Sequence, residues 1–190
     1  MKPKDDKKIN QIYQATLQLV KVKGLAGITM GAIAREAKIA TGTLYIYFKN
    51  KKELINALFT ECRNRSAEVY FKDYDPSMPF KKGLKIIWLN LLHYRIKKFE
   101  EAVFMDQCFH SPFITQTTKE LTKKLFTPLF SLMETGKKQK LVKKADTLLL
   151  LTFMAGSINE TVKYAQYSNR KLNKQIIEQM FLMCWNGLKT

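Results

Sequence analysis

Apolar residues recur along this chain at spacings of three and four, the repeat of one helical face, and no stretch alternates in the two-residue rhythm of a strand. Ile9, Ile12, Tyr13, Thr16, Leu19 and Val20 form the first such face. It stops at Gly24, a residue suited to the position after a helix, and Lys21 and Lys23 favour the last turn before it. Thr29 is an N-cap for a short second helix carrying Met30, Ile33, Ala34 and Ala37. "KIA", Lys38 to Ala40, makes a turn. A third helix over about Thr41 to Phe48 then buries Leu44 and Phe48, and Asn50 followed by Glu53 has the form of a capping box opening a long fourth helix.

Two helices of roughly eight residues each are too short to be stable alone. Helices one and four supply the scaffold, and the arrangement predicts a helix-turn-helix, whose second helix enters the major groove of DNA. "DYDPSMPF" (Asp73 to Phe80) separates helix four from a fifth helix with Ile86, Ile87, Trp88, Leu91 and Leu92. "HSPF" (His110 to Phe113) marks another boundary, and Pro128 should kink or divide the helix around it. "ETGKKQKLVKKAD" (Glu134 to Asp146) reads as a polar connection, followed by two helices over about 145–167 and 172–188.

"ITMGAIAREAKIATGTLYIYFKNKKELINALF" (Ile28 to Phe59) resembles the DNA-binding domain of the TetR family of bacterial transcriptional regulators: a Thr, then IA, a short turn, GTLY, YF, and Lys before EL. Two positions depart from that pattern. Lys38 stands where the family often has Gly, and a positive φ there would cost Lys about 1 kcal/mol. Ala40 stands where it often has a capping Ser.

The resemblance implies an all-α protein of about nine helices. Residues 1–50 would form the three-helix helix-turn-helix domain, linked by helix four (about 50–72) to a helical effector-binding and dimerisation domain over 73–190. A homodimer through the last two helices, a double-stranded DNA operator and a small-molecule effector are the partners it implies. Two faces are candidates for that interface: Leu148, Leu151, Thr152, Ala155 and Ile158 with Asn159, then Ile176, Ile177, Met180, Met183 and Cys184.

Thr41, Gly42 and Thr43 put hydroxyls, a methyl and bare backbone at the leading end of the reading helix. Ile46 suits a thymine methyl, and Tyr45 and Tyr47 carry hydroxyls that reach phosphate. By resemblance Thr29 contacts phosphate from the start of helix two, and Tyr47 and Lys51 clamp the strand. Lys51 opens helix four, where a cation opposes the helix dipole unless an anion is bound, and is expected to be exposed. Gly31 occupies a place where some relatives read a base. For the effector, Trp88, Tyr94, Phe104, Met105, Phe109, Phe113, Phe126 and Phe130 are candidate walls of a largely apolar pocket, with His93 and His110 as possible hydrogen-bond partners.

The chain has 33 Lys and Arg against 16 Asp and Glu, a net charge of +17. That favours an anionic partner, although the excess is spread along the whole chain. Cys62, Cys108 and Cys184 lack metal or redox spacing, so a reduced, cytoplasmic chain without metal or cofactor is expected. No signal-peptide stretch opens it, and "LLLLTFMAG" is about half the length of a membrane span. An enzyme on a helical bundle is the remote alternative, without a Glu-x-x-His pair, a phosphate loop or a nucleophile with its partner, and no catalytic residue is assigned. A DNA-binding protein without effector, acting in chromosome organisation or beside an activator, is the nearer one.

Overall fold

A computed structural model describes residues 6–109 and 111–190. Among them are ten helices: α1 (Asp6–Lys23), α2 (Met30–Glu36), α3 (Thr41–Tyr47), α4 (Lys51–Tyr70), α5 (Phe80–Lys97), α6 (Phe99–Phe109), α7 (Gln116–Leu125), α8 (Thr127–Lys138), α9 (Thr147–Tyr167) and α10 (Lys174–Leu188). The only extended pairing among the described residues is a single bridge, Val142 with Lys189. Among the described residues no helix is long and apolar enough to cross a membrane.

The all-α expectation holds, with one helix more than the nine expected. The extra break, at Lys98 between α5 and α6, carries neither Gly nor Pro, so nothing in the local sequence announces it. Pro128 does divide its segment: it enters the first turn of α8, where a missing N–H costs nothing. The connection expected over 134–146 is helical as far as Lys138. Gly136 does not end α8 but lies against Phe80, whose ring any side chain at 136 would strike. The helix runs on to Lys138 and Gln139 caps it, and Lys140 just beyond takes the left-handed conformation at φ 57°.

The chain folds into two compact units that do not follow sequence order. One combines residues up to Arg65 with Lys98–Lys123; the other combines Ser66–Lys97 with Lys124–Thr190. This differs from the expected division into 1–50 and 73–190. α1 and two helices of seven residues each cannot enclose a core alone, and α6, apolar on most of its surface, completes it. Ile12, Ile33, Leu44, Leu54, Ile55 and Leu58 are fully buried in the first unit, with Phe104 of α6. Polar ties reinforce the packing of α6 on α1. The Leu25 N–H donates to Gln107 Oε1 at 2.7 Å, and Lys21 meets Glu100 at 3.1 Å. Glu101, buried on α6, faces Arg65 of α4 at 3.5 Å.

In the second unit α5 packs with α8, α9 and α10. Trp88 meets Phe181 edge to face at 5.5 Å, and Phe80 meets Trp185 at 6.1 Å. Burying each such ring contributes roughly 1.5–3 kcal/mol. Lys85 of α5 holds both carboxylate oxygens of Glu178 on α10, at 2.8 and 2.7 Å.

Candidate nucleic-acid interface

The reading head is built from short-range rules. Thr29 caps α2, its hydroxyl accepting from the Ala32 N–H at 3.2 Å. At the other end the Ile39 N–H bonds to Ala34 O at 3.0 Å and the Lys38 N–H to Arg35 O at 3.1 Å. That is the double hydrogen bond of a Schellman motif, with Lys38 in its left-handed position at φ 54°. The positive φ expected where the family often has Gly is therefore present, on a lysine. Ala40 caps α3 with no side-chain bond, so the capping role of the family's Ser is absent at this position.

Leu44 is fully buried and orients α3. Its opposite face puts Thr41 and Gly42 in solvent, with Tyr45 51% and Ile46 77% exposed, while Thr43 is half-buried at the edge. A Cβ added at Gly42 or Gly31 would meet nothing within 4 Å, so neither glycine is required by packing in this chain.

Two expected phosphate contacts sit differently. Tyr47 is only 9% exposed, its ring part of the core, because it shares the inner face of α3 with Leu44. Lys51 was expected exposed and is half-buried. Its Nζ donates to Ile28 O at 2.7 Å and Ala26 O at 3.4 Å, and it lies 4.9 Å from the centroid of the Phe113 ring. Partial burial holds its pKa below the usual lysine value.

The cap expected at α4 forms, with its return bond one residue before the N-cap. Asn50 Oδ1 accepts from the Glu53 N–H and Glu53 Oε2 from the Lys49 N–H, both at 2.9 Å. The Glu53 carboxylate offsets the unfavourable lysines in the same turn.

The eight effector candidates divide between the two units. Phe104, Met105, Phe109 and Phe113 belong to the first unit, and Trp88, Tyr94, Phe126 and Phe130 to the second. Trp88, Tyr94, Phe104, Met105 and Phe126 are buried in close packing, Phe130 is half-buried, and Phe109 is 52% exposed. Two shallow hollows stand out: about 700 Å³ between α1 and the end of α2, bordered by Gln11, Gln14 and Lys38, and about 570 Å³ along α10. None of the eight lines either. His93 is exposed, and His110 lies outside the described residues. No group of three or more His, Cys, Asp or Glu among the described residues could hold a metal ion.

The predicted interface faces divide as well. Leu151, Ile158 and Cys184 are buried within the chain, whereas Leu148, Thr152, Ile176 and Met183 are exposed; Leu149 and Leu182, outside the predicted faces, are exposed beside them. Sequence reasoning overlooked Asn56, a half-buried residue of α4 bonded to the Phe113–Thr118 segment. An asparagine in a helix interior, where its propensity is poor, was the available signal.

Residues 12–58 match the family profile of bacterial regulatory proteins, tetR family, and residues 79–189 match the tetracyclin repressor-like C-terminal domain. A helix-turn-helix-type transcriptional regulator of Haemophilus influenzae is 25% identical over 189 residues, covering 94% of each chain. The fatty acid metabolism regulator protein of Bacillus subtilis is 31% identical over 80 residues, 42% of this chain and 41% of that one. The crystal structure of a TetR family transcription regulator from Marinobacter aquaeolei superposes with a TM-score of 0.88 at 24% identity, covering 100% of this chain and 99% of that one. With a profile match over more than half its length and an exposed reading helix on a helix-turn-helix frame, the chain belongs to the TetR family of DNA-binding transcriptional regulators.

Proposed function

We propose that this regulator is a cytoplasmic, homodimeric repressor, bound to a double-stranded operator through paired α3 tips and released by a small, largely apolar effector. The observation that carries the reading is the α3 tip. Thr41, Gly42, Tyr45 and Ile46 stand in solvent on a helix fixed from below by Leu44. Thr41, Gly42 and Thr43 approach base edges, Ile46 meets a thymine methyl, and Thr29, Tyr45, the hydroxyl end of Tyr47 and Lys51 meet phosphate. A single short helix reads few base pairs, which paired half-sites remedy.

The exposed face of α9 and α10 supports pairing with a second copy. Leu149 is 61% and Met183 74% exposed, and a Cβ at Gly156 would meet nothing within 4 Å. A mid-helix glycine with no neighbour gives up about 0.5–1 kcal/mol relative to Ala and allows close approach by another helix. An aromatic cluster in the second unit supports the effector: Tyr70 lies 5.4 Å from Tyr94 and 5.9 Å from Phe126, with Phe71 6.1 Å from Phe126. An apolar compound would enter by parting these rings. Their closed packing also favours a second reading, a regulator that binds DNA without effector.

Selection of a binding site from random duplexes, followed by light scattering of the complex, tests the proposal. Two chains on a site with half-sites about ten base pairs or a multiple apart are expected. A monomer that binds its site tightly would overturn the dimer. A screen whose stabilising compounds never weaken DNA binding would favour the second reading.

A further inference from the structure

Lys51 opens α4, where its charge opposes the helix dipole, yet its ammonium already has three partners. Two are the Ile28 and Ala26 carbonyls, in the loop that leads to Thr29 and α2. The third is the ring of Phe113, 4.9 Å away and far along the chain. Asn56, on α4, fixes that ring's backbone. Its Nδ2 donates to Phe113 O at 2.5 Å, while its Oδ1 accepts from the Thr115 N–H and the Thr118 hydroxyl, each at 3.0 Å. Thr115 also caps the first turn of α7, its hydroxyl accepting from the Thr118 N–H at 3.2 Å. One asparagine thus uses both ends of its amide to pin the segment that carries the aromatic partner of Lys51.

A lysine has one charge on a flexible stem and cannot serve the inner carbonyls and an outer phosphate at full strength together. We propose that Phe113, set in place by Asn56, is a positioning residue for DNA binding: it holds the Lys51 ammonium inward in the free protein, and the strength of that hold sets the cost of turning it out to a phosphate. The inference rests on the reading of Lys51 as a phosphate contact. It makes the segment after α6, remote from the reading head in sequence, a determinant of affinity for every DNA sequence alike.

The test is a cycle of four proteins, wild type, Phe113→Leu, Lys51→Ala and the double variant, with Phe113→Tyr as the variant that keeps the ring. Each is titrated against a selected duplex and a scrambled duplex of equal length over a range of salt, and its folding is checked by thermal melting. Leu keeps the apolar packing and removes the ring face. Phe113→Leu is expected to tighten both duplexes by the same factor, about two- to fivefold per protomer and about four- to twenty-five-fold for a dimer. The salt slope should stay at the wild-type value, since the complex has the same contacts. Phe113→Tyr should match wild type, and the gain should vanish in the Lys51→Ala background. Lys51→Ala by itself should lower the slope by about one per protomer, or two per dimer.

Unchanged or weakened binding in Phe113→Leu overturns the proposal, as does an equal change with and without Lys51. If Lys51→Ala leaves the slope at the wild-type value, the phosphate contact itself fails, and that result is separate from a failure of Phe113 alone.

Discussion

Exposed large apolar side chains gather on α3 and on the α9–α10 pair, and the company they keep there differs. On α3 they are Tyr45 and Ile46, on a seven-residue helix with exposed Lys38, Lys49 and Lys52 close in sequence. On α9 and α10 they are Leu148, Leu149, Phe153, Leu182 and Met183, on helices of 21 and 15 residues. Charge is scarce there. The two ionic side chains of α9, Glu160 and Lys163, bond to each other at 2.9 Å, and Glu178 of α10 is engaged by Lys85. Isolated apolar groups among cations suit a surface that is itself anionic with apolar spots, as a groove lined by phosphates and thymine methyls is. A broad apolar face with few charges suits a dry partner of the same kind.

The sharpest way to break this contrast is to put charge on the second face. Leu149 and Met183 are both exposed, so Leu149→Glu with Met183→Glu leaves the core of one chain intact. In a symmetric dimer the pair would set carboxylates of the two copies against each other, at a cost of several kcal/mol. Light scattering is expected to show one 22.1 kDa chain instead of two, with unchanged thermal melting of the helices at low concentration. Operator affinity should fall by about a hundredfold or more, because each half-site is then held alone. A variant that stays dimeric would move the interface elsewhere.

A smaller effect is expected at the reading tip, and it should be selective. Thr43 is half-buried at the edge of the exposed face of α3. Thr43→Ala removes a hydroxyl and a methyl without opening the core, and the loss at one or two base pairs is expected to be about 1–3 kcal/mol. Binding to scrambled DNA should not change. Competition with a set of single-base-pair variants of the selected site measures this; equal losses on every duplex would make Thr43 a backbone contact or a folding residue.

The same contrast explains what the sequence made legible. Features set within one turn of a helix could be read directly: the Thr29 cap, the end of α1 at Gly24, the Asn50–Glu53 cap and the division at Pro128. Features set by a distant partner could not. The polar run from Glu134 reads as a connection until Phe80 is seen against Gly136, and Lys51 looks exposed until Phe113 and the Ile28 carbonyl are seen around it. The placement of α6 with the first unit depends on Gln107 meeting Leu25 and Glu101 meeting Arg65, pairs separated by tens of residues. Tyr47 was legible as a ring beside an apolar run. Which side of α3 it took depended on the core that α3 covers, and it turned inward with Leu44.

The smallest predicted effect tests the turn that aims α3. Lys38 holds φ 54° because its N–H and that of Ile39 close α2 onto Arg35 and Ala34. A side chain in that conformation costs roughly 1 kcal/mol relative to glycine, and Lys38 is exposed, so it makes no apolar contact that would offset the loss. Lys38→Gly is therefore expected to stabilise the protein by up to about 1 kcal/mol, less the entropy glycine adds to the unfolded chain, raising Tm by roughly 2–4 °C at most. Lys38→Ala separates geometry from charge: it keeps the strained Cβ and should not share the gain. If both variants gain equally, the stabilisation comes from removing one cation from a crowded positive surface, and the left-handed turn carries no cost. Salt settles the same point a second way, because a backbone effect persists at high ionic strength while a repulsion between exposed charges is screened.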